Sequence, residues 1–148
     1  MFETATTILI IVGSMLLFGY WFRYTCLLIL SAKTTRDYAG EVATANQMSF
    51  LEVQALLREA GPVELDTLNA SLDRDYALIT NLIANAGENE SRMEDRMLQM
   101  NYRFARTLFK TVGRFSPDVA RHALDEMSVV ISHFANAMGE RAAVGAGA

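Results

Sequence analysis

Cysteine and proline are scarce, with one Cys and two Pro in 148 residues. A lone cysteine excludes an intrachain disulfide and any zinc site built from several cysteines. So few prolines, and no low-complexity run before the last few residues, argue against a largely disordered chain. Cations are in deficit: 13 Lys and Arg against 17 Asp and Glu leave a net charge of −4. A general nucleic-acid binder needs a surplus of positive charge to displace counterions, so no nucleic-acid partner is expected. No alternating strand pattern or hairpin dipeptide occurs, and no P-loop, dinucleotide fingerprint, G-x-S-x-G or H-E-x-x-H is found. Paired Glu-x-x-His motifs, which a di-iron bundle requires, are missing too.

What is abundant is apolar character, 51% of residues with a mean hydropathy of +0.16. It is concentrated at the start, where residues 4–22 run TATTILIIVGSMLLFGYWF without a charge. Nineteen residues of helix cover roughly 28 Å, close to the thickness of a bilayer's hydrocarbon core. Tyr20, Trp21, Phe22, Arg23 and Tyr24 close the run, a set of rings and a cation suited to the headgroup interface. A cleaved signal peptide would want a basic flank and a small-residue cleavage site; the flank holds only Glu3 and no such site follows. Residues 25–32 are also apolar, so a span shifted downward, with Arg23 facing a helical partner, is the alternative placement. No cation precedes the run, whereas Arg23, Lys33 and Arg36 follow it. This asymmetry predicts a single-pass protein of a bacterial-type inner membrane, N-terminus outside and the remainder cytoplasmic.

Beyond the span, apolar residues recur at helical spacing. The first stretch, Tyr24, Leu28, Ser31, Thr35, Tyr38, Val42 and Ala45, predicts that the anchor helix continues unbroken to about Gln47. Ser49 and Glu52 match a capping box opening a short helix that stops at Gly61-Pro62. Leu65, Leu68, Leu72, Tyr76, Ile79 and Ile83 mark the next. Met93, Met97, Met100, Phe104, Leu108 and Val112 are expected to be the buried face of another, closed by Gly113. Ser116-Pro117-Asp118 opens the last, whose arc runs from Ala120 through Leu124, Met127, Ile131 and Phe134 to Met138. The expected fold is all-α: an N-terminal transmembrane helix continuing into a cytoplasmic up-down bundle of four to five helices. Its parts are an anchor with its interface (1–24), a membrane-proximal helix (25–48), the bundle (49–139) and a flexible tail (140–148).

Candidate chemistry is thin. His122 and His133 lie eleven residues apart on one helix, about 16 Å along its axis, and cannot share a metal. The methionines at helical spacing read as core, and Cys26 as a small apolar side chain. No catalytic, cofactor or metal site is expected. One charge pattern is more specific: Arg92, Arg96, Arg103, Arg106, Lys110 and Arg114 fall within an arc of about 80° on one helix. Residues 92–114 thus hold six cations against two acids in an otherwise acidic chain. Two readings stand beside each other. The stripe is solvated or paired with Glu64, Asp66, Asp73 and Asp75 of the preceding helix, or it docks on anionic lipid headgroups or an acidic partner surface. The function expected is that of a non-enzymatic accessory or scaffold subunit of a larger membrane complex, bioenergetic complexes among them, with the bilayer and neighbouring subunits as partners. The alternative is a membrane-tethered regulator that relays its state through the anchor helix.

Overall fold

A computed structural model describes residues 1–32, 36–86 and 93–147. Among these residues there are six helices and no strand, in two compact units, Met1–Ala32 and Lys33–Ala148.

The first unit is one helix, α1 (Phe2–Ser31), long and apolar enough to cross a membrane. Thirty residues give a rod of about 45 Å, more than the roughly 30 Å of hydrocarbon it would have to span. Its threonines hide their polarity inside the helix. The hydroxyls of Thr6, Thr7 and Thr25 donate to the carbonyls four residues back, Phe2, Glu3 and Trp21, at 2.8–2.9 Å. A hydroxyl satisfied in this way is tolerated in lipid. The helix does not continue to Gln47 as the periodicity suggests: it ends at Ser31, and Ala32 turns extended (φ −63, ψ 111).

The second unit holds α2 (Ala39–Ala45), α3 (Phe50–Arg58), α4 (Leu65–Asn85), α5 (Met93–Thr111) and α6 (Pro117–Ala146). α6 is the central strut, and α2, α3, α4 and α5 all pack against it. Its apolar arc is buried as the spacing predicts: Ala120, Ala123, Leu124, Met127, Val130, Ile131 and Phe134 are each at most 2% exposed. Leu68, Leu72 and Ile79 of α4 close over it from one side, and Phe50 and Val53 of α3 from another. Past Gly139, where a frayed tail was expected, α6 runs on as helix to Ala146. Ser116 stands at its N-cap in extended conformation with Pro117 following, although the Ser116 side chain makes no capping bond.

The short helices are too small to be stable alone. Side chains from the long helices fix their ends. Asn136 of α6 accepts the backbone N–H groups of Tyr38 and Ala39 at 2.8 and 2.7 Å, and so caps α2. Asp75 of α4, 1% exposed, accepts the N–H of Ser49 at 2.6 Å at the start of α3. This bond replaces the expected capping box, since the Ser49 side chain makes no capping bond of its own. Arg121 of α6 donates to the carbonyls of Leu57, Glu59 and Gly61 at the other end of α3, the last at 2.7 Å. Between α2 and α3 the chain reverses through Gln47, a non-glycine residue at φ 54. Met48 N–H there reaches the Ala43 carbonyl at 2.9 Å, closing a Schellman turn. Gly139 lets α2 sit close to α6, because a methyl group in its place would strike the Tyr38 side chain.

Candidate docking surface

α5 presents a different face to the core from the one the sequence suggests. Leu98, Asn101, Tyr102, Ala105 and Phe109 are buried against its neighbours. The row read as core points outward instead: Met93 is 79% exposed, Met100 59% and Phe104 55%. Met97 and Leu108 are half-buried beside that row. In the turn after the helix, Val112 is also exposed and Phe115 is 89% exposed. The correction has a physical cause. α5 carries two apolar rows at helical spacing, and the buried one is the row that holds Tyr102, whose ring and hydroxyl find partners.

Those partners lie on α4. The Tyr102 ring stacks on Tyr76 with centroids 3.8 Å apart and planes at 4°. Its hydroxyl donates to Asp73 Oδ1 at 3.0 Å. Arg106 clasps the other oxygen of Asp73, Nε at 3.0 Å and the terminal nitrogen at 2.9 Å. Burial, together with the charge of Asp73, holds the Tyr102 hydroxyl far above the ordinary tyrosine range. Burial also raises Tyr76, while the charge and hydrogen bond of Arg103 pull the other way. α5 runs antiparallel to α6, with Arg141 near the end of α6 reaching Asp95 near the start of α5 at 3.9 Å.

The basic stripe thus divides by partner. Arg106 belongs to the Asp73 network and Arg103 stands beside the Tyr76 hydroxyl. Lys110 and Arg114 line a cleft of about 510 Å³ shared with Leu65, Asp66, Asn69 and Phe109. Arg96 is exposed near the start of the helix. Arg92 lies outside the described residues. Of the four acids weighed as partners, Asp73 takes Arg106, Asp75 is committed to capping α3, Asp66 lines the cleft, and Glu64 stands at the N-cap of α4. The exposed apolar row and the exposed cations therefore lie side by side on the outer surface of α5. Sequence reasoning picked out the cations but placed the apolar row inside.

At the other candidate position, Tyr20, Trp21 and Tyr24 are exposed on α1, with Phe22 and Arg23 partly covered. The rings of Tyr20 and Tyr24 stack along the helix with centroids 6.4 Å apart.

The two histidines differ in setting. His122 is exposed and 3.4 Å from Glu126. His133 is half-buried, and burial lowers its pKa against the opposing pull of Asp95 and Glu94. Among the described residues no group of three or more His, Cys, Asp or Glu is placed to hold a metal ion. Compared with family models, curated proteins and solved structures, the chain has no match.

Proposed function

We propose that this protein is a single-pass accessory subunit of a membrane complex, with no catalytic step of its own and a helical body that docks through the outer face of α5. The body is read as an up-down bundle on the cytoplasmic side of a bacterial-type inner membrane, and α1 as its anchor. The observation that carries the proposal is the exposed row of Met93, Met100 and Phe104 beside Arg96, Arg103 and Lys110. Apolar side chains rimmed by charge are what an interaction surface presents. Several of the buried or clasped polar groups have structural work: Asp75, Asn136 and Arg121 cap the short helices, and Asp73 joins α4 to α5. Support for the anchor is the length and apolar character of α1.

The test is purification of the full chain from its native membranes in mild detergent, next to the Arg96→Gln, Arg103→Gln, Lys110→Gln variant. A stoichiometric partner set on the wild type supports the subunit reading, and a variant that folds but holds its partners or anionic lipid vesicles more weakly supports docking through α5. Wild type and variant behaving alike, each without partners, would overturn it.

A further inference from the structure

Resting on the reading of α5 as a docking face, we propose that its occupant is the anionic surface of the bilayer that α1 crosses. The exposed surface has two adjoining parts. Met93, Met100 and Phe104 form one line along the helix, and Phe115 in the turn that follows is also exposed. Arg96, Arg103 and Lys110 run beside that line, with Arg114 next to Phe115. A helix lying in the headgroup layer has this composition: Met and Phe reach the acyl boundary while the guanidinium groups stay with the phosphates.

Charge complementarity favours lipid over a second copy of the chain. Residues 93–115 hold five cations and two acids within a chain of net charge −4. A two-fold dimer through this face would bring two copies of the same cationic row into one interface, where like charges repel. An anionic leaflet attracts the same row, at about 1 kcal/mol for each Lys or Arg held near the surface.

Tether length favours lipid over a distant partner. Seven residues, 32–38, join the end of α1 to the start of α2. Fully extended they span at most about 25 Å. A body on so short a leash stays within reach of the membrane at high effective concentration, so even a weak face is occupied.

The experiment uses the full chain, one copy per nanodisc, with Phe104 replaced by the photocrosslinker p-benzoylphenylalanine. That position is exposed, so the larger ring is accommodated. Discs are made from phosphatidylcholine alone or from an equimolar mixture with phosphatidylglycerol. On illumination, lipid adducts are expected in the mixed discs and to fall in neutral ones. Adding Lys110→Gln and Arg114→Gln should lower the docking equilibrium by about thirtyfold, as loss of two surface cations predicts. The same probe is then used in native membranes. Equal lipid adducts in both disc types would overturn the anionic assignment. Adducts to a protein in native membranes, without lipid adducts in discs, would overturn it and leave the docking reading standing. No adduct of either kind would remove both.

Discussion

Asp73 is the residue on which the seating of α5 turns, because it accepts from Tyr102 on one oxygen and Arg106 on the other. Tyr102→Phe removes one donor and leaves Asp73 satisfied by Arg106, so it should cost about 1 kcal/mol. Asp73→Ala leaves a buried hydroxyl unpaired and a guanidinium without its partner, and should cost about 2–3 kcal/mol. Urea unfolding of the full chain in mild detergent, followed by circular dichroism, reads both; equal losses would show that the hydroxyl carries the whole network. His133 gives a second prediction at this scale. Its pKa is lowered from 6.5 in the folded chain, so the unfolded chain takes up the proton first as pH falls. Stability is therefore complete above about pH 6.5 and declines from there down towards the lowered folded value. Most carboxylates titrate below this window. His133→Gln should flatten the decline that sets in below about pH 6.5, as read from unfolding midpoints against pH.

At the scale of the helix, the contrast between α5 and α6 can be measured directly. Phe134 of α6 is 1% exposed and Phe104 of α5 is 55% exposed. Phe134→Ala should destabilise the body by about 3–5 kcal/mol. Phe104→Ala should change stability by no more than about 0.5 kcal/mol. The same urea series decides it, and comparable losses would mean that α5 is turned the other way. α6 was legible because its apolar residues form one arc and leave one choice. α5 was not, because Met93, Met97, Met100 and Phe104 compete with Leu98, Tyr102, Ala105 and Phe109, two rows of similar spacing. Hydropathy favours the first row, while the partners on α4 that select the second are distant in sequence. Distance in sequence also explains the caps. Asn136 lies 97 residues from Ala39, whose N–H it accepts, and Asp75 lies 26 residues from Ser49. The capping box at Ser49 and the unbroken helix to Gln47 were local inferences, and long-range hydrogen bonds replaced both.

For the molecule as a whole, the decisive question is which compartment receives the body. Residues 1–22 hold no Lys or Arg, while Arg23, Lys33 and Arg36 follow. Cations close to a span are retained on the cytoplasmic side, and acids count little, so the short N-terminal stretch should cross and the body should stay inside. A fluorescent-protein fusion after Ala148 should be bright and an alkaline phosphatase fusion inactive; the reverse pattern would overturn this orientation. Orientation and surface charge are also coupled. The cytoplasmic leaflet carries the anionic lipids that would draw the α5 cations down, at about 1 kcal/mol each. Moving the cations should therefore do more than turn the anchor round. With Lys placed at Phe2 and Thr4, and Arg23, Lys33 and Arg36 changed to Gln, the fusion signals should invert and the body should be exported. Folding of the body should survive that change, because Arg36 is exposed and its ion pair with Glu41 at 2.9 Å and its contact with the Tyr38 ring each contribute little. An inverted chain that folds but loses the partners kept by the wild type would place the docking surface on the cytoplasmic side.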